Sequence, residues 1–102
     1  MKNITYTTHS LKRARQRGIK KEIIEMIYKE ADKIVRKMGN ARAIYISKIK
    51  VSKLHQLNTY KKDVLEKSKN IYLIISESES LLTVVRTKRS VYRRNIKYSL
   101  IA

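Results

Sequence analysis

The chain contains no cysteine, no proline and only two glycines among its 102 residues. Without cysteine, neither a disulfide framework nor a thiolate metal site can be built. No GxGxxG or GKT-type loop occurs, which removes the nucleotide-binding folds that rest on glycine-rich phosphate loops. The two histidines, His9 and His55, fall on different expected elements with no HxH or HxxxH spacing, so no metal site is expected. Glu22 with Glu25, and Glu77 with Glu79, read as solvated carboxylates, and no cofactor is implied. Ser47, Ser68 and Ser90 have no plausible paired base, so nucleophilic catalysis has no support. The longest apolar run is the five residues Ile71–Ile75, far short of the ~18 that a spanning helix requires. The opening MKNITYTTHS has no apolar core followed by a small-residue cleavage site, so no secretory signal is expected. The expected location is the cytoplasm. Scarce Pro and Gly beside heavy Lys, Ile and Tyr use are compositional marks of an AT-rich genome or a hot habitat.

Acid is also scarce. Eight Asp and Glu face 25 Lys and Arg, a formal net charge of +17. Charge on that scale repels itself in a compact state and makes sense where a polyanion is the partner. With membrane insertion set aside, RNA or DNA is the expected partner. The hydrophobic fraction of 42% is that of a folded globular chain. A chain of this length buries about 60–70% of its unfolded surface and accommodates one domain, residues 1–102.

The pattern along the chain is that of an α+β domain. Thr7 and Thr8 offer an N-cap to the stretch LKRARQRG, and Gly18 offers its stop. A second helix is expected over about residues 20–31, with Ile23, Ile24, Ile27, Tyr28 and Ala31 as one apolar stripe. KIVRKM and RAIYISK then alternate around Gly39-Asn40, a hairpin signal. Residues 50–67 read as helical, anchored by Val51, Leu54, Val64 and Leu65, with a break near Asn58-Thr59. Residues 70–75 and 81–88 read as a second hairpin turning in the Ser/Glu tract. The tail SVYRRNIKYSLIA is compatible with a strand, a helix or an extended arm. The expected fold is two N-terminal helices and then a four-stranded antiparallel sheet of two hairpins with a helix between them.

The positive charge is clustered. Lys2, Lys12, Arg13, Arg15, Arg17 and Lys20 occupy an acid-free beginning, and Arg86, Lys88, Arg89, Arg93, Arg94 and Lys97 an acid-free end. Arginine, with its planar fork, is suited to phosphate in a way that a lysine point charge is not. His9, Arg13 and Arg17 are spaced i, i+4, i+8 and share one helix face, with Leu11 and Ala14 elsewhere. The expected nucleic-acid-binding set is therefore led by Lys12, Arg15, Arg17, Lys88, Arg89, Arg93 and Arg94, with Tyr92 able to stack a base. If the two segments form one site, the first helix must lie beside the last strand. Strand parity would set Arg86 with Leu82 and Val84, and Thr83 with Leu81 and Val85.

The residues HSLKRARQRGI, the hairpin that follows and the segment IYLIISESESLLTVVRTKR resemble the small RelE-like proteins of plasmids and prophages, across roughly residues 8–94. The string His9, Arg13, Arg17-Gly18-Ile19 carries most of the resemblance; Ser10 stands where such proteins usually have Ala. The resemblance implies the barnase/EndoU/colicin/RelE fold, whose members include metal-independent ribonucleases and the toxin halves of toxin–antitoxin pairs. It nominates His9, Arg13, Thr83 and Arg86 as catalytic, with Arg36, Arg42 and Tyr45 of the first hairpin as further RNA contacts. It also implies RNA, including ribosome-bound RNA, as substrate and an acidic antitoxin-like protein as partner.

Metal-independent RNA cleavage needs a base for the 2′-OH proton, cations for the crowded phosphorane and an acid for the leaving 5′-oxygen. Arg13, Arg17 and Arg86 are cations but poor bases. His9 is the residue near the basic cluster whose type suits proton transfer, and Tyr45 or Tyr92 is a candidate acid. The leading expectation is thus a RelE-like ribonuclease toxin of a mobile element. Two alternatives stand beside it: a non-catalytic DNA- or RNA-binding protein, such as a regulator or a viral or plasmid nucleic-acid-associated protein, and a basic module that docks an acidic protein.

Overall fold

The computed structural model describes residues 4–36 and 39–86. Strand β1 (Thr5–Tyr6) leads into helices α1 (Thr8–Gln16) and α2 (Lys21–Glu30), then strands β2 (Lys33–Arg36) and β3 (Arg42–Tyr45). Helices α3 (Lys48–Gln56) and α4 (Lys62–Ser68) precede strands β4 (Ile71–Ile75) and β5 (Ser80–Arg86). The class is α+β, as the pattern implies. The sheet is five-stranded and mixed, in the order β1-β5-β4-β3-β2, with β1 parallel to β5 and the other pairs antiparallel. Two expectations are corrected here. A fifth strand exists because Thr5 and Tyr6, a run too short to show alternation, borrow their pairing from Ser80 and Leu81. The single helix between the hairpins is two, parted at the break read near Asn58-Thr59, where Asn58 adopts a φ of 53° and closes α3 as glycine would.

Local chemistry explains the element ends. Thr7 and Ser10 form a reciprocal capping box: the Ser10 amide donates to Thr7 Oγ1 at 3.0 Å, and the Thr7 amide to Ser10 Oγ at 3.0 Å. Ser10, fully buried, also donates to the Thr7 carbonyl at 2.8 Å. Gly18, at φ 65°, ends α1 with the Ile19 amide on the Ala14 carbonyl and its own amide on that of Arg15. That is the paired bonding of a Schellman stop, with Ile19 and Ala14 both buried.

All four helices serve one face of the sheet. Ile44, Ile46, Ile71, Leu73, Ile75, Leu81 and Val84 meet Ile23, Ile24, Ile27, Val51, Leu54 and Leu65 in one core. The other sheet face gathers Ala43, Tyr45, Tyr72 and Ile74, with Val35 and Val85 against them. α1 lies over β5, α2 over β3 and β4, α4 against α2, and α3 against α4.

Asp32, between α2 and β2, ties the first hairpin to α3. Its carboxylate accepts from the Ser47 amide at 2.7 Å and the Ser47 hydroxyl at 2.5 Å, while Ser47 Oγ caps α3 through the Lys50 amide at 3.1 Å. Burial pushes the carboxyl up, but the Ser47 bonds, its own backbone and nearby Lys33 outweigh that and leave it below its ordinary value. A carboxyl depressed by folding contributes stability above its unfolded pKa, lost as pH falls through the folded one. Asp32→Asn should therefore lower stability by about 1 kcal/mol near neutrality, the carboxylate being partly solvated. The gap from wild type should be full above the ordinary carboxylate range and should shrink as pH falls through and below that range. Urea melts across that range check it, and a gap that persists in acid would refute the assignment.

Candidate nucleic-acid interface

The docking of α1 on β5 assembles the basic surface. At one end of the helix Thr7 Oγ1 donates to the Leu81 carbonyl at 2.8 Å. At the other, the half-buried Arg17 guanidinium donates to the Val84 carbonyl. Among the described residues β1 pairs only with Ser80 and Leu81, because the chain turns into α1 at Thr7. Arg17 thus serves part of the β5 edge that β1 leaves open. A carbonyl partner does not neutralise the guanidinium, whose remaining N–H groups are free to meet an anion.

Pairing decides which side chains join it. Arg86 lies opposite Ile71, a residue of the helix-facing core, and therefore points to the side that carries α1. It follows Val84, Arg17's partner, by two residues, or roughly 7 Å. Thr83 lies opposite Ile74, a residue of the second cluster, and points to the other face. The expected parity was half right. Ile74 pairs with Thr83 but Ile75 with Leu81, so a bulge at Leu82 sends Leu81 and Val84 to the same face. Arg86 and Thr83 remain on opposite faces.

The nominated catalytic set is accordingly dispersed. Arg13, exposed, and Arg17 lie on the α1 side with Arg86. His9, also exposed, sits two turns from Arg17, about 12 Å along the helix axis, and Thr83 faces away. Lys12 and Arg15 are exposed on the outer side of α1. The first hairpin stands apart, with β4 between β3 and β5 and with β2 beyond β3. Arg36 ends β2 in register with Arg42. Arg42 is committed to Glu79, whose carboxylate oxygens it meets at 2.8 and 2.9 Å, and to the Ser76 carbonyl at 3.3 Å. Tyr45 is 3% exposed, its ring centroid 4.8 Å from that of Tyr72; it cannot stack a nucleobase or protonate a leaving group. Lys88, Arg89, Tyr92, Arg93 and Arg94 lie outside the described residues.

Where the acids go matters as much. Glu25 accepts from Tyr6 at 3.3 Å, Glu30 from Tyr60 at 2.7 Å and Glu79 from Tyr28 at 2.8 Å, while Asp32 holds Ser47. Burial first, and then the glutamate partner, push the Tyr6 and Tyr60 phenols up to about 12, and Tyr28 rises for the same two reasons. Half of the eight acids are therefore bonded to hydroxyls. The ion pairs formed among the described residues are Arg42–Glu79, Lys50–Glu30 and Lys69–Glu66, and none uses a cation of α1 or Arg86. The sequence did not expose this division, since Tyr–Glu pairs distant in the chain carry no local signal.

No group of three His, Asp or Glu among the described residues is placed to hold a metal, and no helix among them is long and apolar enough to cross a membrane. Comparison with protein-family models, with curated proteins and with solved structures finds no match to the chain.

Arg17 has a structural task that Arg13 lacks, and the two should separate on mutation. Arg17→Ala, which strips a half-buried bond to a strand carbonyl, should cost about 1–2 kcal/mol of stability; Arg13→Ala should stay within about 0.5 kcal/mol. Equal losses in urea denaturation would refute the docking role.

Proposed function

We propose that the chain binds nucleic acid, with RNA as the preferred class, through the phosphate backbone. The surface is the exposed side of α1 together with the end of β5. The observation that carries this reading is the grouping of Arg13, Arg17 and Arg86 on one side of the sheet with no carboxylate of the described residues paired to them. Arginine forks held on a helix and a strand end are pre-arranged for phosphate oxygens. Uncompensated charge of this size speeds encounter with any polyanion.

The test is the salt dependence of binding to a labelled RNA and a labelled duplex DNA. Engagement of about five phosphates predicts a log–log slope near −4 to −5 on duplex and a shallower one on a single strand. Replacing Arg13 and Arg86 together by Ala should reduce the slope by about two. A slope near zero for the unaltered chain would dispose of the reading.

A second reading, cleavage by a RelE-like metal-independent ribonuclease, draws on one observation. α1, with His9 and Arg13, packs along β5, where the resemblance would put helix and strand residues to work together. The separation of His9 from Arg86 and the opposite facing of Thr83 weigh against one compact reacting centre. If cleavage occurs, it should persist in EDTA. His9→Ala should then lower it by about 10²–10⁴-fold with RNA affinity nearly unchanged. RNA bound but never cut, under any buffer tried, leaves the binding module alone standing.

A further inference from the structure

The α3–α4 pair carries a second basic surface, of different chemistry. Residues 48–69 hold seven lysines and no arginine, against Asp63 and Glu66. The two helices enclose an open groove of about 580 Å³, floored by Val51 and Leu65 and edged by Lys48, His55, Lys62, Lys69 and the carboxylate of Glu66. Lys69 is paired with Glu66 at 3.2 Å, whereas Lys48 and Lys62 are exposed and take part in none of the ion pairs above. Both open a helix: Lys48 is the first residue of α3, whose first turn has no acid, and Lys62 the first of α4. A cation there opposes the helix dipole at a cost of about 0.3–1 kcal/mol each. A surface selected only for solubility has no reason to place lysine at both sites.

The groove is not an extension of the α1–β5 surface. α4 packs on α2 and α1 on β5, so α2 stands between the two basic regions. Its exposed residues carry both signs, Glu22 and Glu25 beside Lys21 and Lys29. One phosphate strand running from α1 to α4 would have to cross at least one helix diameter, about 10 Å, of mixed charge. Two separate segments need not.

We propose that the α3–α4 groove is a second phosphodiester-binding surface, so that one molecule holds two segments of nucleic acid at once. The proposal rests on the nucleic-acid reading of the α1–β5 surface. Lysine point charges suit a backbone met without fixed geometry, the arginine surface a more oriented one.

The test uses the full chain, a 20-base-pair duplex fixed to beads and a fluorescent duplex in solution. Wild type should carry the fluorescent duplex to the beads. Lys48→Gln with Lys62→Gln should cut that capture about tenfold or more while still binding a single duplex, because each surface suffices for one. The same variant should melt no lower than wild type, since two cations unfavourable to the helix dipoles are gone. Arg13→Ala with Arg86→Ala should also fail to bridge two duplexes, and what binding of one duplex it retains should show the shallower salt dependence expected above. Bridging that survives the lysine replacements overturns the proposal and points to self-association through the arginine surface. A wild type that binds one duplex and never bridges overturns it too, leaving the first surface standing. A wild type that binds no duplex and no RNA removes the underlying reading itself.

Discussion

The docking of α1 along β5 is the contact on which the rest of the molecule's chemistry depends. Two bonds to strand carbonyls, from Thr7 at the start of the helix and Arg17 at its end, fix the helix in both position and direction. Thr7 does double duty as N-cap and tether, so the signal that begins the helix also fastens it to the sheet. Were the helix to slide, the β5 edge would lose its cover and Arg13 would leave the side of Arg86. Backbone carbonyls rather than carboxylates make the attachment, and the helix therefore arrives with its charge intact.

That economy extends through the fold. A protein of net charge +17 must limit self-repulsion in its compact state. Here acids are placed where they join elements: Glu25 to β1, Glu30 to the α3–α4 connection, Asp32 to the cap of α3, Glu79 to α2 and β3. Their partners are mostly hydroxyls, which use the carboxylate as an acceptor and consume no cation. Glu79 does so from a φ of 63°, a backbone state unfavourable for a side-chain-bearing residue, and three bonds from Tyr28 and Arg42 hold it there. The outcome is a basic α1, a lysine-bearing α3–α4 pair and, between them, an α2 whose exposed side carries both signs.

The same geometry separates binding from catalysis. Phosphate binding tolerates cations spread over a helix and a strand end, because each contact acts nearly independently. Proton transfer does not, since acid, base and phosphate must lie within hydrogen-bond reach of one another. Arg13, Arg17 and Arg86 meet the first requirement; His9, Thr83 and Arg86 together do not meet the second.

Much was legible in the sequence because it was local. The Thr7 cap, the Gly18 stop, the α2 stripe, both hairpins and the clustering of arginine each depend on neighbours within a few residues, where propensity, capping and periodicity act. The α+β class and the basic character follow from those alone. What only the tertiary structure decided is long-range pairing. β1 exists because β5 lies beside it, Tyr45 is lost to the buried second face of the sheet, and Arg42 is drawn to Glu79. The bulge at Leu82 depends on how β5 registers against β4, and it moves Leu81 from one face to the other. A one-residue slip reverses every later side chain of a strand, so no reading of residues 80–86 in isolation could settle which of them look toward α1.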